Sequence, residues 1–179
     1  MPEIEIRPAI SSDMPFLIAL DHNYVSDFTW QMEVKSEESR IGVNFRQIRL
    51  PRSIRVEYPR PLTSLADEWK KLDGILVATF EDQIIAYISL RLNLAPFTTW
   101  VSDLIVTRRL RRQGIGSALV LAAEEWGLHR ECRRILLEMQ SKNYPALQLA
   151  HKLGFDFCGY HDHYYANHDM ALFFAKTLR

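Results

Sequence analysis

The stretch RRQGIGSALV, Arg111 to Val120, sets two glycines, Gly114 and Gly116, behind two arginines and ahead of an apolar, helix-forming run. Arg108 and Arg109 stand just upstream. A helix start offers unpaired backbone N–H groups and a partial positive charge, which together suit a phosphate. Glycine lets the backbone come close to such an anion. The chemistry expected of this turn is therefore anion binding. A phosphate loop of the G-x-x-x-x-G-K-[ST] kind is excluded, because no lysine follows Gly116. A dinucleotide fingerprint, G-x-G-x-x-G/A directly after a strand, fits poorly. Leu119 stands where the third glycine belongs, and Thr107 to Gln113 separate the strand from the glycines. In its favour, Glu138 falls about 20 residues further on, at a strand end. A second polar cluster, HDHYYANHD over 161–169, gathers three histidines and two aspartates. A divalent metal could use such groups. A polar run between two strands reads first as a solvated loop, so no metal is expected.

These residues need elements to hold them. Alternation at Ile4 and Ile6 predicts a first strand, ended by Pro8. Ser11, Ser12 and Asp13 offer a cap to a helix over MPFLIALD. Residues 24–40 read as helix and loop anchored by Phe28 and Trp30. Residues 41–60 read as a hairpin, RQIRL and SIRVEY divided by Pro51. TSLADEWKKLD has helical spacing. GILVATF and QIIAYISLRL are two strands joined at Glu81-Asp82, and TTWVSDLIV (98–106) is a third. The glycine turn then opens a helix to about 130. A strand follows over about 133–140, then a short helix capped by Asn143, started by Pro145 and stopped by Gly154. FDFCGY and DMALFFAKTL close the chain as strands. This order describes an α/β (in some schemes α+β) mixed sheet with helices on its faces.

Bulk composition narrows the function classes. Lys+Arg and Asp+Glu are equal at 22 each, so general nucleic-acid or membrane-surface binding is not expected. Cys132 and Cys158 have no metal or redox spacing and read as reduced and partly buried. MPEIEIRPAI lacks the features of a signal peptide, and no apolar run is long enough to span a membrane. A single domain over 1–179, cytoplasmic by default, is expected.

LIVTRRLRRQGIGSALV resembles motif A of the GCN5-related N-acetyltransferases, Q/R-x-x-G-x-G/A after a strand, at Arg111, Gly114 and Gly116. NYPALQLAHKLGF, 143–155, is similar to motif B of the same family at its expected distance. The resemblance implies a central sheet of about seven strands whose parallel central pair, 98–106 and 133–140, splays apart to admit acetyl-CoA. It implies that the coenzyme pyrophosphate lies on the turn formed by Arg111, Arg112, Gln113, Gly114, Ile115, Gly116 and Ser117. Leu104, Ile105 and Val106 would pair with the pantetheine arm, and Asn143 would contact it. The Val106 N–H would polarise the acetyl carbonyl.

Acetyl transfer to a primary amine of a small molecule or peptide is the activity this implies. Such an amine has a pKa near ~10 and must lose a proton before it attacks. Glu138 is the first candidate base, since some family members carry a catalytic Glu at that offset from the motif B Asn. A structural carboxylate is its competing role. Asp103 is the second candidate, as base or as anchor for the substrate ammonium. Many relatives place a tyrosine acid seven residues after the motif B Asn. Here Ala150 occupies that position. Tyr144, Tyr160, Tyr164 and Tyr165 are the alternatives, with Tyr164 foremost. The C-terminal pattern is similar to the streptothricin acetyltransferase branch. Residues 24–70, with Tyr24, Phe28, Trp30, Tyr58 and Trp69, are expected to meet the acceptor, through cation–π contact or as packing. Dimers are common in the family, and nothing in the sequence forces one. A non-catalytic acyl-CoA-binding module is the alternative that Ala150 motivates.

Overall fold

The runs GILVATF and QIIAYISLR are buried almost end to end, as strands covered on both faces must be. They form the middle of a mixed sheet. The computed structural model describes residues 3–179; Met1 and Pro2, at the head of the segment read as lacking a signal peptide, lie outside them. The chain runs β1 (Glu5–Pro8), α1 (Met14–Ala19), β2 (Tyr24–Glu37), β3 (Arg40–Val56), α2 (Leu62–Glu68), β4 (Gly74–Phe80) and β5 (Gln83–Arg91). It continues β6 (Thr98–Val106), α3 (Ile115–Leu128), β7 (Arg134–Gln140), α4 (Tyr144–Lys152), β8 (Asp156–His161) and β9 (Ala171–Thr177). Seven strands pair in the order β1-β4-β5-β6-β7-β9-β8, and β2 and β3 form a separate hairpin.

Among the described residues β6 and β7 alone run parallel, and α3 makes the crossover between them. Core residues of α3 and α4 pack one face of the sheet. Met14 and Leu17 of α1 pack the other with Ile75, Val77, Tyr87 and Ile105. The approach of α3 to the sheet requires Gly127, because a Cβ there would overlap Thr99 Oγ1 on β6. Asp13 starts the first helical turn by accepting from the Ile10 N–H at 2.9 Å, and Arg7 holds the same carboxylate at 2.7 Å.

The segment 24–60 differs from the sequence reading. Residues 24–40 are mostly strand rather than helix and loop, and β3 runs on through Pro51. Phe28, Trp30, Met32 and Val34 alternate with Thr29, Gln31, Glu33 and Lys35, the period-2 mark of a strand that the helix-and-loop reading passed over. Pro51 is tolerated because the ladder breaks there. Ser26 pairs with Ile54 and Phe28 with Arg49, which leaves Leu50 to Ser53 unpaired opposite Asp27. Cys132 is buried as expected, whereas Cys158 is exposed on the edge strand β8, where nothing pairs on its outer side. No helix among the described residues is long and apolar enough to cross a membrane.

Candidate active site

The central strands part at a defined point. β6 and β7 pair over Thr98–Val101 and Arg134–Leu137, and not beyond. β6 keeps its pairing with β5 as far as Val106, with an irregularity next to Ser102. β7 keeps its pairing with β9 as far as Gln140. A gap therefore opens between Ser102–Val106 and Glu138–Gln140. The Thr107 N–H bonds Ile85 O at 2.7 Å, which makes Val106–Ala86 a non-hydrogen-bonded pair. The N–H and C=O of Val106 therefore point away from β5 into the gap. By the alternation of the ladder, those of Leu104 do the same, while Ile105 points its side chain into the α1 core.

The glycine turn lies at the end of β6. Gly114 is the helix N-cap at φ 89°, and Arg112 also has positive φ, at 65°. The first helical bond is donated by Ala118 to Gly114 O at 3.0 Å. The N–H groups of Gly114, Ile115, Gly116 and Ser117 find no partner among the described residues. Four adjacent amides at a helix start make an anion cradle. Gly116 faces the corner between β6 and α4, with Leu149 3.5 Å and Leu104 3.8 Å from where a Cβ would stand. Arg111 organises the turn. Its guanidinium donates to Val106 O at 2.8 Å, Asn23 O at 2.9 Å and Asp21 O at 2.7 Å. The Gln113 side chain reaches back to Arg109 O at 3.4 Å. Asn143 caps α4 through its side-chain oxygen, which accepts from the Ala146 N–H at 3.1 Å. Its amide N–H groups have no partner among the described residues.

On the α1 face, the gap brings two carboxylates to one arginine. Glu138 on β7 and Asp103 on β6 both meet Arg60, from the turn between β3 and α2. Arg60 pairs with Glu138 Oε1, approaches Asp103 Oδ1 at 3.4 Å, and donates to Ser102 O at 3.1 Å. Its Cζ lies 5.1 Å from the Tyr165 ring centroid. Glu138 Oε2 accepts from Trp100 Nε1 at 2.8 Å and from Tyr164 OH at 3.0 Å. Asp103 accepts from the Ser102 hydroxyl at 3.1 Å. Burial, and then the negative charge of Glu138, push the Asp103 carboxyl up to about 7. Burial followed by the same charge pushes the Tyr164 hydroxyl up to about 12. Asp103 lines a cavity with Tyr58, Glu68, Trp69, Tyr87 and Arg91; Glu138 does not. His22 Nε2 fixes the Tyr87 hydroxyl at 2.9 Å.

Of the tyrosines named from sequence, Tyr164 and Tyr165 join this cluster. Tyr144 instead stacks on Phe28, and Tyr160 packs edge-on to Phe45. Ala150 is wholly buried in the core. Of the aromatics expected near the acceptor, Tyr58 and Trp69 line the cavity. Tyr24 instead bonds Gln140 at 2.6 Å, and Trp30 packs on the α3/α4 face. No metal-binding cluster of His, Cys, Asp and Glu occurs among the described residues. In the 161–169 loop, His163 pairs with Asp162, and Asp169 is bound by Gln140 and Lys142. Sequence reasoning missed Arg60. Its one local mark is its place between Pro59 and Pro61.

Among the described residues, the sheet splits between its one parallel pair, β6 and β7, and a glycine-led helix start stands at the split. The family model described as Acetyltransferase (GNAT) family matches residues 43–155, and the chain belongs to that family. No curated protein matches the sequence. Among solved structures, the chain is similar to a nourseothricin acetyltransferase, at 20% identity over 98% of this chain and 99% of that one, with a TM-score of 0.83. It is also similar to an acetyltransferase from Bacillus anthracis str. Ames in complex with acetyl coenzyme A, at 20% identity, 98% and 99% coverage, and a TM-score of 0.75. A third is the ribosomal-protein-S18-alanine N-acetyltransferase from Escherichia coli, at 16% identity, 98% and 94% coverage, and a TM-score of 0.69.

Proposed function

We propose that this protein transfers an acetyl group from acetyl-CoA to a primary amine of a small molecule or peptide, with Asp103 accepting the proton of the attacking ammonium. The observation that carries this reading is the position of Asp103. It is a buried carboxyl pushed up to about 7, at the wall of a cavity and at the edge of the strand gap. An amine with pKa near ~10 gives up its proton more readily to such a group than to an ordinary carboxylate near ~4.

The four partnerless amides from Gly114 to Ser117 fit a pyrophosphate in both direction and charge. Arg112 and Gln113 flank them, and Arg111 holds the turn from behind. The gap-facing backbone of Leu104 and Val106 would receive the pantetheine arm, together with the uncommitted amide of Asn143. The bound coenzyme supplies an acetyl thioester. The Val106 N–H would polarise its carbonyl. A thiol with pKa ~8.5 leaves as the thiolate without a strong acid, so Ala150 is compatible with turnover. Tyr164, kept protonated, donates to Glu138 beside the gap and would be the hydroxyl donor at hand. Nourseothricin belongs in the first acceptor panel because of the structural likeness.

The second reading, an acyl-CoA-binding module without turnover, is favoured by the buried Ala150 alone. Two linked measurements separate them. Thermal unfolding with acetyl-CoA, with NAD as control, reads binding. Thiol release with an amine panel reads transfer. The proposal predicts a raised midpoint with acetyl-CoA, none with NAD, and thiol release with at least one amine. Binding without release for any amine supports the module.

A further inference from the structure

Arg60 comes from a Pro-Arg-Pro turn outside the sheet, yet its guanidinium ends between β6 and β7. Proline on either side restricts the backbone and limits where the side chain can reach. Two carboxylates share this one cation. The Glu138 side chain is 1% exposed and that of Asp103 is 10% exposed. Two buried anions cannot both ionise cheaply when, among the described residues, a single cation is in contact with them. The surroundings of the two are unequal. Glu138 has the direct contact with Arg60, plus donors from Trp100 and Tyr164. Asp103 has a 3.4 Å approach to Arg60 and one serine hydroxyl.

We propose that Arg60 is a positioning residue that engages the Glu138 carboxylate and thereby leaves the proton-accepting role to Asp103. The inference rests on the transferase reading above. It reverses the family-derived order, in which Glu138 is the first candidate base. The titratable and charged groups around the pair are Tyr87 and Arg91 on β5, Asp103 on β6, Glu138 on β7, and Tyr164 and Tyr165 before β9. Arg91 is itself met by Glu68 of α2 at 3.6 Å. None of these can replace Arg60, because none brings a second cation into contact with either carboxylate.

The test uses Arg60→Met, Arg60→Lys and Glu138→Gln, read by the pH dependence of kcat/KM and by 13C carboxyl NMR titration of Asp103. The acetyl-CoA-induced rise in unfolding midpoint is the control for a folded coenzyme site. In Arg60→Met the acid limb and the Asp103 titration should both move to higher pH by about one unit or more. Arg60→Lys should restore most of the shift. Glu138→Gln should move the Asp103 titration to lower pH, because Asp103 loses a neighbouring anion and keeps the cation. An Arg60→Met protein that binds acetyl-CoA normally and titrates like the parent would overturn the proposal. If Arg60→Met does not fold, an unmoved Asp103 titration in Glu138→Gln overturns it instead. If the parent acetylates no amine, the transferase reading fails separately, and the NMR titration still decides whether Arg60 sets the charge of the pair.

Discussion

The guanidinium of Arg60 and the carboxylate of Glu138, 78 residues apart in the chain, form an ion pair beside the point where β6 and β7 separate. Glu138 is engaged by Arg60, Trp100 and Tyr164, and of the two carboxyls at the gap Asp103 is the one that lines the cavity. Arg60 meets both acids, but Glu138 has the closer contact and two further donors, whereas Asp103 has a 3.4 Å approach and one serine hydroxyl.

Arg111→Ala should destabilise the protein. The guanidinium ties the end of β6 to Asp21 and Asn23 in the loop after α1. Loss of charged donors to three carbonyls should cost about 2–4 kcal/mol. A urea unfolding midpoint reads the loss directly. Affinity for acetyl-CoA should fall with it, since the turn loses its rear support.

Gly116→Val should weaken acetyl-CoA binding at least tenfold, whereas Gly116→Ala should do so less. A single methyl at this position would meet Leu149, Leu104 and Val106 at 3.5–3.9 Å, ordinary contact distances. The branched carbons of valine would extend further into the corner between β6 and α4, where the proposed coenzyme site lies. Titration calorimetry compares the two variants.

Asp103 also links stability to pH. Its folded carboxyl is pushed up to about 7, by burial first, whereas the unfolded group titrates near ~3.9. The folded chain therefore holds a proton that the unfolded chain has lost between those values. Stability from this group is fully present below about pH 4 and is lost as pH rises through about 7. Asp103→Asn should be more stable than the parent at pH 8, with the difference shrinking towards pH 4. Denaturant midpoints across that range are the check.

Much of the fold was legible because it is local. Both boundaries of TTWVSDLIV, the Asn143 cap and the Gly154 stop follow from spacing and from single residues, and the structure has them all. The hairpin was read only in part: the alternation from Phe28 to Lys35 marks a strand that the reading as helix and loop passed over, and Pro51 sits where the ladder is broken, so β3 runs on past it. In the site, the partnerless amides of the glycine turn could be foreseen from residue types. The Arg60 contacts could not. Asp103 and Glu138 lie 43 and 78 residues away, and only the sheet topology brings them to the same turn.

The most direct test is amine-dependent acetyl transfer by the parent and Asp103→Asn side by side, with the product weighed by mass spectrometry. The parent should give an amine product one acetyl group heavier. Asp103→Asn should lose about 100-fold or more in kcat, the usual scale for a lost general base, with acetyl-CoA affinity retained. Equal turnover by the two proteins across pH would contradict the role proposed for Asp103.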